Sequence, residues 1–341
     1  MFRRTVRAAA WLALLLTVGV PAGAGAWGHV GVAGTAVASG LPRAAEVGGL
    51  SEGIVRGDVS GETGVAGTAR APRVTEVRAL PRGAGEEPVS RRRAPARPLA
   101  IAHRGAARTA PENTLAAADA AHRQGVAWVE NDVQRTKDGK LVVMHDTTLQ
   151  RTTNAEQVFP GRSPWRVGDF TAAELARLDA GSWFGKQFAG ERVPTLRSFL
   201  ERMEQNGQRL LLEIKAPGRY PGIEALILQE LRHMGWLDAE HVRDRLVVQS
   251  FDAESVRMVH RLVPAVRTGF IGAPPPRALA SYARFADQVN PRLAQVDRRY
   301  VAAVHRLRGP HGLPLAVNVW DAAGSRALRT ATAYGVDGII D

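Results

Sequence analysis

From residue 98 onward, short apolar runs alternate with longer stretches whose apolar residues recur at helical spacing. The strand-like runs cover residues 98–102, 126–133, 209–215, 246–251, 266–271, 288–290, 315–320 and 336–340. Eight such runs joined by helical crossovers predict an α/β chain folded as a (β/α)8 TIM barrel. A ninth run, residues 140–144, follows residue 133 after only a short turn, Thr136-Lys137-Asp138-Gly139. A parallel neighbour would need a crossover of about a dozen residues or more, so this run predicts an antiparallel hairpin return. Such a hairpin delivers His145 above the barrel mouth rather than from a barrel strand.

The segment of about residues 146–208 reads as a small insertion after the second strand. Within it, Thr171-Ala172-Ala173-Glu174 predicts a helix opened by a capping box. Trp183 and Phe184 have two readings there, packing of the insertion or a wall of the substrate pocket. The sequence ends at Gly338-Ile339-Ile340-Asp341, directly after the last strand. The pattern therefore predicts that the eighth helix is missing and that the last and first strands lose part of their outer cover.

Upstream of the barrel the pattern changes. Arg3, Arg4 and Arg7 precede an apolar run at 8–20, and Ala22-Gly23-Ala24 and Ala24-Gly25-Ala26 offer cleavage sites. Residues 1–26 thus predict a signal peptide, too short for a good membrane span. A secreted or cell-envelope protein without stable membrane insertion after cleavage is expected. Residues 27–97 are rich in Gly, Ala, Val and Arg with no sustained period, which predicts a disordered linker. The barrel domain is then 98–341.

Composition narrows the chemistry. The 341 residues are 45% hydrophobic, enough for one large domain with extra segments. The net charge of +12 owes much to arginines outside the barrel, including Arg91-Arg92-Arg93. No nucleic-acid motif accompanies them and the aromatics do not interleave with basic residues, so nucleic acid is not an expected partner. The absence of cysteine excludes disulfides, thiolate metal sites and a cysteine nucleophile.

Two strand ends carry candidate chemistry. Glu130 and Asp132 stand at i and i+2, on one side of a strand. Buried together they require a cation between them, for which a hard divalent ion suits oxygen ligands. On spacing alone, a solvated acidic edge strand fits equally. Glu213 and Lys215 repeat the same-side spacing, as a salt bridge or as part of a site. His122, His233, His241, His260, His305 and His311 fall on predicted helices or loops and read as surface or packing residues.

The ordered set His103-Arg104-Gly105, Pro111-Glu112-Asn113-Thr114, Glu130-x-Asp132, Thr136-Lys137-Asp138-Gly139 and His145-Asp146 resembles the glycerophosphodiester phosphodiesterase family. The resemblance runs from about Leu99 to the last residue. It implies metal-dependent hydrolysis of small glycerophosphodiesters to glycerol 3-phosphate and an alcohol. By the same resemblance, Glu130, Asp132 and Glu213 hold one divalent cation, Ca²⁺ or Mg²⁺. His103 and His145 form the acid–base pair, and Arg104 and Lys215 bind the phosphate. Phe251 and Trp320 line the cleft, and Glu112 and Asn113 tie the first loop in place. A histidine near its ordinary pKa of about 6.5 lets one partner start neutral and the other protonated. Two departures stand out. Asn131 takes a position that is usually apolar and should face the helix layer, with a partner of its own or in a locally altered strand. The Thr-Asp that usually ends the last strand is replaced by Ile340-Asp341. Alternative readings are a phospholipase D-like enzyme acting on lipids, which should expose apolar loops at the mouth, and a non-catalytic phosphodiester-binding barrel. The latter should have lost a histidine or a metal ligand, yet all five are present.

Overall fold

The computed structural model describes residues 97–341. The signal peptide expected at 1–26 and the linker expected at 27–97 lie outside the described residues, but for Arg97.

The nine strands are β1 (Leu99–Ala102), β2 (Trp128–Arg135), β3 (Leu141–Val143), β4 (Arg209–Ile214), β5 (Leu246–Ser250), β6 (Arg267–Phe270), β7 (Gln288–Val289), β8 (Ala316–Trp320) and β9 (Gly338–Ile340). All but β3 pair in parallel in the order β1-β9-β8-β7-β6-β5-β4-β2, and β1 also pairs with β2, which closes the barrel. β3 runs antiparallel to β2, with Val143 opposite Val133, as the short turn requires.

The helices are α1 (Leu115–Arg123), α2 (Ala155–Val158), α3 (Ala172–Leu175), α4 (Leu196–Gln205), α5 (Ile223–His233), α6 (Ala253–Leu262), α7 (Leu279–Tyr282), α8 (Arg298–His305) and α9 (Gly324–Tyr334). Their starts are written locally: Thr114, Thr195, Asp252 and Asp297 each accept a first-turn backbone N–H of α1, α4, α6 and α8. α2 and α3 belong to the insertion, where the predicted Thr171–Glu174 capping box forms. Leu149, Trp165, Phe170, Leu175 and Leu178 give the insertion its own small core against Val142 and Met144 of the hairpin.

The strand period of two sorts the side chains. Outward, Val129, Val133, Leu210, Leu212 and Val248 meet Leu200, Met203, Ile227 and Leu231 of the helix layer. Inward, Ile101, Trp128, Leu211, Val247 and Ile340 plug the lower barrel. Further along the same strands the inward positions turn polar, with Asp132, Glu213 and Gln249 side by side across β2, β4 and β5. The site therefore sits at the C-terminal ends of the strands, above an apolar floor. Outside, a groove of about 330 Å³ runs between Leu99 and Ile101 of β1, Ile339 of β9 and Leu328 of α9. Leu99 and Leu328 are 43% and 51% exposed.

Asn131 faces the helix layer, as expected, but neither alternative for it holds. Its backbone keeps regular register with Leu212, so β2 is not altered there. The side chain is fully buried and neither amide atom has a hydrogen-bond partner. An unsatisfied buried amide costs about 1–3 kcal/mol. Replacing it with Asn131→Leu is expected to raise the unfolding free energy by roughly that amount. Equilibrium urea unfolding of the two proteins checks this, and a destabilised variant would show that the amide has a partner.

Candidate active site

The first loop begins where β1 ends. His103 leaves the strand, and Arg104 and Gly105 adopt left-handed conformations, with φ of 57° and 79°. This turn drops two backbone donors onto β2: Arg104 N bonds Glu130 Oε2 at 2.9 Å, and Gly105 N bonds the Glu130 carbonyl at 3.2 Å. Gly105 is needed on a second count, since a Cβ there would lie 2.6 Å from Ala117 Cβ on α1. Asn113, also left-handed, donates to Asp132 Oδ2 at 2.8 Å and accepts from Asp132 N. Glu112 accepts from Arg104 Nη1 at 2.8 Å. Asn113 thus ties the first loop to β2, and Glu112 holds Arg104 within that loop.

Glu130, Asp132 and Glu213 are all buried and each offers an oxygen within 4.8 Å of the others. Lys215 Nζ lies 2.7 Å from Glu213 Oε1 and 3.3 Å from Asp132 Oδ1. Arg104 Nε approaches Asp132 at 3.7 Å. Burial pushes Glu130 well above the ordinary carboxylate range, and its neighbours Asp132 and Glu213 add to the rise. Burial, then Asp132, likewise raises Glu213 to about 8. Burial also acts upward on Asp132, but Lys215, His145 and Arg104 outweigh it and hold that carboxyl below its usual value. The protein's own cations thus keep one carboxylate of the three ionised. The set fits a bound cation: Glu130 and Asp132 each give one oxygen to a protein donor, Glu213 gives Oε1 to Lys215, and lone pairs remain to converge.

His145 arrives from the hairpin. Met144 N bonds the Asp132 carbonyl at 2.9 Å. Buried Gln134 gathers the carbonyls of Met144, His145 and Asp146 with its amide nitrogen, and Tyr220 Oη donates to the Gln134 oxygen. His145 Nδ1 pairs with Asp146 Oδ1 at 2.6 Å, which leaves Nε2 free. Arg151 then joins the two loops: it bonds both oxygens of Asp146 and both of Glu112, at 2.7–3.0 Å. Burial, with Arg104 second, lowers His103 to about 4, and burial lowers His145 as well. Both shifts favour the neutral imidazole in the free site.

A cavity of about 230 Å³ is lined by His103, Arg104, His145, Lys215, Phe251 and Trp320, with Glu130 and Glu213 at its base. The barrel thus brings the expected site residues together, Asp132 lying just behind and Glu112 and Asn113 behind the loop. Phe251 and Trp320 meet edge to face at 5.9 Å. Trp183 and Phe184 do not line this cavity; Trp183 stacks on Phe184, and Phe184 on Phe188, within the insertion.

A sequence profile of the glycerophosphoryl diester phosphodiesterase family matches residues 103–341. The chain belongs to the glycerophosphoryl diester phosphodiesterase family. This phosphodiesterase is 40% identical over 174 residues to a glycerophosphodiester phosphodiesterase of Caldanaerobacter subterraneus, spanning 51% of this chain and 66% of the relative. It is 32% identical over 245 residues to one from Bacillus altitudinis, spanning 70% of this chain and 92% of that one. Among solved structures, an Oleispira antarctica phosphodiesterase in complex with the product sn-glycerol-3-phosphate superposes with a TM-score of 0.60 at 28% identity, covering 71% of this chain and 92% of that chain.

Three residues around the phosphodiesterase site, Arg151, Asn290 and Arg292, escaped the sequence reading. Asn290 and Arg292 line the cavity with Gln249, and Arg151 reaches Glu112 and Asp146 from the insertion. Gln249 and Asn290 bond each other at 2.6 Å beneath the cavity. Gly105→Ala is expected to cost about 2–4 kcal/mol, from left-handed strain plus overlap with α1. Thermal unfolding checks this, and a variant within about 0.5 kcal/mol of wild type would mean that the loop relaxes freely.

Proposed function

We propose that this phosphodiesterase hydrolyses glycerophosphodiesters to glycerol 3-phosphate and an alcohol, in a metal-dependent reaction with His103 and His145 as the acid–base pair. The observation that carries this reading is the convergence, on one cavity, of two histidines, two cationic donors and a buried carboxylate triad. The product held by the Oleispira antarctica structure supports the choice of substrate.

Glu130, Asp132 and Glu213 would hold a hard divalent ion, Ca²⁺ or Mg²⁺, which would supply charge neutralisation for the phosphate. Arg104 and Lys215 donate to the phosphate beside it. The arriving anion raises the proton affinity of the histidines, so one of them takes up a proton. The neutral partner accepts a proton from the attacking oxygen as it bonds phosphorus, and the protonated one delivers its proton to the alcohol oxygen as that P–O bond breaks; the attacking oxygen is that of water, or of the glycerol 2-hydroxyl with water then opening the cyclic phosphate. Asp146 fixes the tautomer of His145 and keeps Nε2 toward the reaction.

We further propose that the protein acts outside the cytoplasm, secreted or in the cell envelope, on the strength of Arg3, Arg4 and Arg7 before the apolar run and its Ala-x-Ala sites. Among the described residues no helix is long and apolar enough to cross a membrane. N-terminal sequencing of protein recovered from culture medium or wall fraction should begin near residue 25 or 27; an intact N-terminus in the cytosol would overturn the placement.

Glycerol 3-phosphate release from a panel of glycerophosphodiesters should vanish with EDTA and return with Ca²⁺ or Mg²⁺. His103→Ala and His145→Ala should each lower kcat by about 10²-fold or more while retaining the wild-type fold by circular dichroism. Full activity in either variant would sink the acid–base assignment, and EDTA-resistant turnover would sink the metal dependence.

A further inference from the structure

The cations of the cleft are not alike. Arg104 is paired with Glu112 and Asp132, and Lys215 with Glu213 and Asp132. Arg292 lines the same cavity, yet no ion pair among the described residues includes it. Its backbone is fixed beside the end of β8: Arg292 bridges Trp320, and Trp320 N bonds the carbonyl of Pro291 at 3.1 Å. Its guanidinium lies on the Trp320 ring, 4.3 Å from the centroid. Trp320 is itself held by a bond from Nε1 to the Asn290 carbonyl at 3.0 Å. Arg292 is exposed at the rim of the cleft, placed there by its backbone and by the Trp320 ring, and among the described residues no carboxylate pairs with its guanidinium.

The aromatic wall points the same way. A quaternary ammonium is recognised by open aromatic faces. Here each ring already carries a cation of the protein, Arg292 on Trp320 and Lys215 Nζ 5.5 Å from the Phe251 centroid. The far wall of the cleft is electropositive where an ammonium cage would have to be neutral or negative.

We propose that Arg292 selects substrates whose leaving alcohol carries an anionic group, a carboxylate or a second phosphate, over those whose alcohol ends in an ammonium. This rests on the hydrolase reading above and names the substrate class of that same site. The planar guanidinium offers two parallel donors, which match a carboxylate or phosphate edge and cannot be copied by lysine.

The test compares kcat/KM for glycerophosphoserine and glycerophosphoethanolamine, which differ by one carboxylate, with glycerophosphocholine as a third substrate. The ratio between two esters measured on one preparation does not depend on the folded fraction, so poor folding of a variant cannot imitate the effect. Wild type should favour the serine ester over the other two. Arg292→Gln should lower the serine-to-ethanolamine ratio about tenfold, and Arg292→Glu about a hundredfold with a gain for the choline ester. A ratio within about twofold of wild type in both variants would overturn the assignment. An equal fall for all three esters would also overturn it, because Arg292 would then hold a group they share. Wild type that releases glycerol 3-phosphate from none of them overturns the hydrolase reading itself, a result distinct from the other two.

Discussion

Three carboxylates share one small buried volume at the mouth of this barrel, and much of the surrounding architecture serves to make that tolerable. Glu130, Asp132 and Glu213 stand on neighbouring parallel strands, so the register of β2 against β4 alone sets Asp132 beside Glu213. Their mutual repulsion and loss of hydration push two of them toward the neutral acid. The backbone N–H of Arg104, the amide of Asn113 and the ammonium of Lys215 each take one oxygen, which lowers the penalty without removing it. A site that stays short of positive charge in this way could hold a cation.

The same carboxylates anchor the parts that carry the histidines. The left-handed turn at Arg104 and Gly105 exists because two backbone donors must point down at Glu130. His145 is fixed from below by Gln134, which collects three successive carbonyls of the hairpin end. Arg151 closes the system by bonding Glu112 behind one histidine loop and Asp146 behind the other. The two histidines stand 42 positions apart, yet the loops that carry them are joined by one hydrogen-bond network running from Arg104 through Glu112, Arg151 and Asp146 to His145.

Function also explains where the fold departs from its cheapest solution. Arg104 and Asn113 adopt positive φ, a conformation that costs non-glycine residues about 1 kcal/mol or more, and both lie at the carboxylates. Asn131 is different: it is strained in the energetic sense, buried without a partner, but it faces the helix layer and touches nothing in the cleft. Its neighbours Glu130 and Asp132 are explained by the site, whereas nothing in the structure explains the amide between them.

The barrel was legible in the chain because its determinants are local or periodic. Eight apolar runs with helical crossovers can close in few ways, and the short Thr136–Gly139 turn admits only an antiparallel return for β3. The pairings i and i+2 at Glu130 and Asp132, and at Glu213 and Lys215, follow from the strand repeat alone, so their common side was readable before any coordinate. The role of Trp183 and Phe184 was undecidable in sequence, since both readings need only an exposed aromatic pair; packing within the insertion settled it. The downward shift of His103 follows from tertiary structure alone, because burial and the neighbouring Arg104 act through space and not along the chain. It alone brought Arg151 and Arg292 to the mouth, from segments whose local pattern carries no signal. Local spacing thus determined which groups each strand presents, while the closing of the barrel decided which charges meet at its mouth.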